Sequence, residues 1–241
     1  MLGFCLRSLV REYGWRFLRR VGARRPLQTL RAFREADTLE VTGAGVDVGI
    51  RAAGSQAGGP PSIVGVGFCL KPIDPPCPSG RATHDCLFLE RVAGPDEAGV
   101  PVPCRSCAIR EAGLGALRAG SAFYVMTSAR DILDDVFVPA MNEQTFETGL
   151  FVLCRYSFKP FALGMLASGM SGRLLPLDRG DCRDYRTWLL ADRGIKDEQT
   201  MVDAAGMTQV ASVLGALVPS RAMRFERRGN VLHPATPGPA W

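Results

Sequence analysis

The chain is short of several things on which a function could be built. Its 241 residues hold three lysines against 26 arginines, so its arginine richness reads as coding bias before it reads as phosphate recognition. Two histidines are present, His84 and His233, which leaves few candidates for a Cys-His nucleophilic pair. No G-x-x-x-x-G-K-[ST] occurs. The glycine-rich stretch GVGF runs into a cysteine rather than a helix, so nucleotide binding has no positive support. Long apolar runs are missing too: GLFVLCRYSFKPFALGMLASGM is cut by Arg155, Lys159 and Pro160, and no transmembrane helix is expected. The first twenty residues are charged from Arg7 onward and offer no apolar h-region, so a reducing, cytoplasmic setting is expected. No repeat at solenoid spacing is present.

What is present is a chain with 46% hydrophobic residues, enough to bury a full core without disulfides. Its net charge of +5 is concentrated at one end, where residues 1–36 carry nine arginines against Glu12 and Glu35. Leu6, Leu9, Val10, Tyr13, Phe17 and Val21 form one helical stripe there, with Arg7, Arg11, Arg19 and Arg20 off it. Such a helix packs on its own domain or touches an anionic membrane surface or a partner, and packing is the preferred expectation.

Gly, Pro and Ala content marks RAAGSQAGGPPS, RVAGPDEAGVPVP and the tail RRGNVLHPATPGPAW as loops. The expected division is a basic arm and linker over 1–60, a cysteine-rich domain over 61–220 and a polar tail over 221–241. Strands are expected at SIVGVGF, AFYVMT, TGLFVLC and GRLLPL. They alternate with helices from Cys107, from Ala129 until Pro139 stops it, around PFALGMLASGM, and over DYRTWLLADRG. Ser128 and Asp131 read as a capping box. This alternation predicts an α/β fold with a mostly parallel sheet flanked by helices and a cysteine-rich loop at the carboxyl edge of its strands.

Eight cysteines are the chemical feature. Cys69, Cys154 and Cys182 each follow a predicted strand, on the edge where open α/β sheets bind ligands. Cys77, Cys86, Cys104 and Cys107 lie in the loops between the first strand and first helix, the last two as a C-x2-C that suits one metal or cluster. The successive spacings of x7, x8, x17 and x2 are irregular for two close zinc pairs and lean toward an iron-sulfur cluster, with zinc, inert thiols or a redox C-x2-C as alternatives. Cys5 is read as an inert thiol. Lys159, Arg173, Arg179 and Arg183 fall near this edge, where cations offset thiolate charge or simply decorate the surface. Asp134 with Asp135, and Asp181 with Asp184, read as solvated helix or cap positions. His84, two residues from Cys86, is expected to be an exposed loop residue, and His233 to be unstructured.

The order FCLKPIDPPCPSGR, PCRSCAIRE, LFVLCRYSF and GDC resembles a prokaryotic cysteine-rich domain-of-unknown-function family (family one hundred and sixteen), suspected iron-sulfur proteins. The similarity covers roughly residues 63–190, with Cys69, Cys77, Cys104, Cys107, Cys154 and Cys182 at matching positions. The family has a tighter run of three cysteines where this chain has two, and Cys86 on an inserted loop is expected to replace the missing ligand. The expected ligands of a [4Fe-4S] cluster, or alternatively of zinc, are therefore Cys77, Cys86, Cys104 and Cys107. Cys69, Cys154 and Cys182 form a second cofactor-binding set or nearby thiols. The expected partner is a redox protein or small molecule, with no specific nucleic-acid signal.

Overall fold

Successive side chains of a strand face opposite sides, and a strand covered by helices on both faces must be apolar on both. In a computed structural model, which describes residues 1–9, 12–41, 45–49, 59–91, 100–214 and 225–235, this is how the centre of the molecule is built. Strands β2 (Ile63–Gly67), β3 (Ala122–Met126), β4 (Thr148–Leu153) and β5 (Ser171–Pro176) run parallel. Tyr124, Met126, Phe151 and Leu174 enter one core, while Val66, Phe123, Val152 and Leu175 enter the other.

Helices α3 (Pro26–Thr38), α7 (Val138–Glu143) and α8 (Phe158–Ser168) cover the first face, and α4 (Leu87–Arg91), α5 (Ala108–Arg118) and α10 (Ala204–Leu214) the second. The α/β architecture is as expected. Antiparallel strands complete both edges of the seven-stranded sheet, whose order is β1-β5-β4-β2-β3-β7-β6. Strand β1 (Val46–Val48) pairs with β5, and the hairpin of β6 (Phe225–Arg228) and β7 (Val231–Pro234) pairs with β3.

These edges draw on residues on both sides of the expected cysteine-rich domain. The sheet takes strands from the segments read as linker and tail, because three or four residues suffice once a neighbouring strand supplies the ladder. Such runs are too short to show a period in sequence. His233 accordingly sits in β7, its ring stacked at 6.1 Å from Phe146. Residues 50–58, 92–99 and 236–241 of the expected loops lie outside the described residues.

The basic arm folds onto the domain through α1 (Leu2–Leu9), α2 (Glu12–Phe17), a π turn over Leu18–Gly22 and α3. Phe17, Val21, Ala32 and Ala36 are buried in the first core. Arg20 pairs with Asp134, Gln28 donates to the Leu166 carbonyl at 2.9 Å, and Lys159 donates to the Asp37 carbonyl at 2.6 Å. Of the predicted stripe, Val10 and the side chain of Leu9 lie outside the described residues.

Ser128 caps α6 (Ala129–Ile132) through the Asp131 N–H, and Asp184 forms a capping box with Thr187 at the start of α9 (Tyr185–Asp192). Pro139 does not stop its helix. A π turn over Leu133–Phe137 precedes it, with the Val138 N–H bonded to the Leu133 carbonyl, and this shift of register accommodates the ring. Among the described residues no helix is long and apolar enough to cross a membrane.

Candidate functional site

The parallel strands are ordered β3-β2-β4-β5, so the chain leaves β2 toward one side of the sheet and β4 toward the other. A crevice forms at such a reversal, beyond the carboxyl ends of the two strands. Here it is a cavity of about 110 Å³. Cys69 comes to it from the end of β2, Thr127 from β3, Cys154 and Ser157 from β4, and Cys182 from the loop after β5. Phe4 of α1 and Trp188 of α9 close it from above, with ring centroids 4.9 Å apart in an edge-to-face contact.

The three thiols of the cavity differ in electrostatics. Cys154 lies just past β4, and a turn over Arg155–Ser157 leads from it into α8. Its sulfur accepts a hydrogen bond from the Cys182 thiol and lies 2.9 Å from Ser157 Oγ, and these bonds bring its pKa down to about 7. The Cys182 proton is held by the same contact, so that thiol is pushed up. Burial raises Cys69 to about 11, partly offset by a hydrogen bond with Thr200 and by the charges of Lys196 and Arg81.

Cys77, Cys86, Cys104 and Cys107 form a second group. The Cys77 thiolate charge raises the pKa of each of the other three, as does that of Cys107 for Cys86 and Cys104, so the four lie within electrostatic reach of one another. Burial is the larger cause of all three shifts and carries Cys86 to about 11. Cys107 stands just before the first turn of α5, with the Glu111 N–H bonded to its carbonyl at 3.1 Å.

Lys71 is the centre of this loop. Its side chain is 1% exposed, and Nζ donates to the Gly80 carbonyl at 2.9 Å and to the Thr83 carbonyl and hydroxyl, both at 2.8 Å. Burial lowers its pKa, while the charges of Cys77, Cys86, Asp85 and Cys107 oppose that shift. The ammonium thus both ties down the Cys77–Cys86 segment and faces three of its four thiols.

Comparison of the chain with protein-family models, with curated proteins and with solved structures found no match. The site is therefore read from its own chemistry. Among the described residues, no three His, Cys, Asp or Glu side chains converge closely enough to hold one metal ion. Cys5, in α1, belongs to neither group of thiols: it packs against the first core, half-buried.

His84 is not the exposed loop residue expected. Its ring stacks on Tyr124 at 5.3 Å, Nδ1 donates to the Val125 carbonyl at 2.8 Å, and Nε2 lies 3.0 Å from Thr127 Oγ1. Thr127 and Ser128 both donate to Asp131, and these bonds hold its carboxyl below the usual range despite burial. The loop turns back over the end of β3, a long-range contact that sequence proximity to Cys86 conceals.

The cations near the thiols also differ from those expected. Arg173 faces Asp47 at 3.8 Å and Lys159 is bound to the N-terminal segment, whereas Lys71, Arg81, Arg110 and Lys196 reach the sulfurs. Lys71 and Lys196 are two of only three lysines in a chain that otherwise uses arginine, and that bias was the signal available to find them. A compact ammonium with three donors suits the three acceptors around Lys71 in a way that a planar guanidinium does not. The acidic pairs divide: Asp184 caps a helix, while Asp135 accepts from Tyr124 and Asn230, both at 2.9 Å.

Proposed function

We propose that Cys77, Cys86, Cys104 and Cys107 hold a [4Fe-4S] cluster and that the protein transfers electrons to a redox partner or small molecule. The observation that carries this reading is the gathering of four thiols within electrostatic reach of one another, three of them facing one buried ammonium. Four thiolates about a metal centre leave net negative charge, and Lys71 and Arg110 stand where they offset it. A cluster takes one thiolate per iron and so spreads its ligands, whereas one zinc ion needs all four sulfurs around a single point. The donors are all sulfur and within electrostatic reach of one another, as a cluster's ligands must be. Bound there, a cluster would supply one-electron transfer. The chain itself would hold the ligands on a proline-rich loop, keep them largely from water and tune the potential through Lys71.

The test is iron and acid-labile sulfide content, with a visible spectrum, on protein purified without oxygen. Brown protein with about four irons and four sulfides per chain is expected. A C86S variant should lose most of the iron, while C5S keeps it. Colourless protein containing zinc refutes the reading and makes the loop a structural clasp.

A further inference from the structure

Two thiols in contact can act as a two-electron couple, provided one carries the charge and a substrate can reach it. No spacing motif joins Cys154 to Cys182. They meet because β4 and β5 are parallel neighbours, with Leu153 opposite Pro176, and the loops leaving those strands turn toward each other. The two thiols share a hydrogen bond, and Ser157 Oγ lies 2.9 Å from the Cys154 sulfur. Both sulfurs line the cavity at the topological reversal, where Phe4, Phe68, Phe161 and Trp188 supply apolar wall. The C-x2-C pair is built the opposite way: burial, with the charge of Cys77 added to it, pushes both Cys104 and Cys107 up.

We propose that Cys154 and Cys182 are a redox-active dithiol that reduces a small apolar disulfide admitted to this cavity. The Cys154 thiolate attacks one sulfur of R–S–S–R′, forming a Cys154–S–R bond as the substrate S–S bond breaks, and the departing R′S⁻ takes the Cys182 proton. The Cys182 thiolate then attacks the Cys154 sulfur, closing a Cys154–Cys182 disulfide and releasing RS⁻, which takes a proton from water. The substrate gains two electrons and the dithiol loses two; an external thiol reductant restores it by the reverse exchange. Cys154 is the attacking sulfur because Ser157, at the start of α8, places its Oγ 2.9 Å from it, and Cys182 is the resolving one. The size of the cavity, about 110 Å³, selects a small substrate over a protein disulfide. This reading is independent of the proposed cluster.

The experiment treats the full-length, reduced protein with dimethyl disulfide in the absence of oxygen and follows intact mass and peptide maps. The native chain should lose two hydrogens, with residues 154 and 182 cross-linked. C182S should stop with one methylthio group on Cys154, and C154S should form no cross-link. S157A retains both thiols and should react about tenfold more slowly, reflecting one lost hydrogen bond to the thiolate. C5S, which lies in neither group of thiols, should behave as the native chain. The proposal is overturned if Cys154 and Cys182 stay reduced after the other thiols are fully labelled. It is also overturned if S157A reacts at the native rate, or if C154S lowers metal content, which would make Cys154 a ligand instead.

Discussion

Replacing Lys71 by methionine keeps an unbranched apolar stem and removes the ammonium, so it isolates what that charge contributes. Nζ makes three hydrogen bonds of 2.8–2.9 Å, all to the segment between Cys77 and Cys86. Bonds of this charged kind contribute about 1.5–3 kcal/mol each, which bounds the gross loss at about 9 kcal/mol. Against it stands the desolvation of a buried ion, several kcal/mol, which the variant no longer carries. Gly80 is exposed and Thr83 half-buried, so water also recovers part of what their acceptors lose. The net expectation for K71M is a destabilisation of about 2–4 kcal/mol, read as a shift in the urea midpoint of the reduced, metal-free protein. Metal occupancy should fall with it, because three thiolates lose their facing cation. K71R should not restore either property, since a planar fork cannot direct its donors onto the same three acceptors. A K71M protein within about 0.5 kcal/mol of the native one, with unchanged metal content, would refute the role given to this residue.

Three further outcomes are expected. Alanine at Gly172, where φ is +153°, would drive its Cβ into the Gly149 carbonyl of the paired strand, so G172A should cost more than about 4 kcal/mol and yield little folded protein by circular dichroism. F4A removes a ring that contacts Tyr156, Tyr185 and Trp188 at 4.9–5.9 Å; it should cost about 1–3 kcal/mol in thermal unfolding and speed alkylation of Cys154 by opening the cavity. Stability should depend on pH through the cavity thiols. Cys154 is depressed from 9.0 to about 7, so the unfolded chain binds the extra proton between those values. That stabilisation is present above about pH 9 and lost as pH falls through about 7, a difference of about 1–3 kcal/mol. The raised Cys182 and Cys69 act in the opposite sense above their ordinary value of 9.0, giving a maximum near pH 9. Urea midpoints from pH 6 to pH 10 should trace this maximum, and a C154S profile as steep as the native one between pH 7 and 9 would contradict it.

The four parallel strands were legible because each is a compact apolar run ended by a turn signal, and the caps at Ser128 and Asp184 are local chemistry that reads directly from residue order. The supply of thiols was legible for the same reason, since eight cysteines are a fact of composition. Which thiols meet was a different matter. Cys154 and Cys182 touch only because two parallel strands are neighbours, and Lys71 reaches Gly80 and Thr83 only because the loop folds back over it. His84 looked like a loop residue beside a cysteine until the end of β3 supplied its partners. The edge strands β1, β6 and β7 escaped for want of length, as their pairing comes from the sheet they join. Sequence by itself determined the α/β alternation, the apolar cores and the supply of thiols, all of which follow from local pattern and count. Tertiary structure decided how the thiols are partitioned, which of them are hydrogen-bonded and which cation faces which sulfur, because hydrogen bonding and charge act over a few ångströms of space irrespective of separation along the chain.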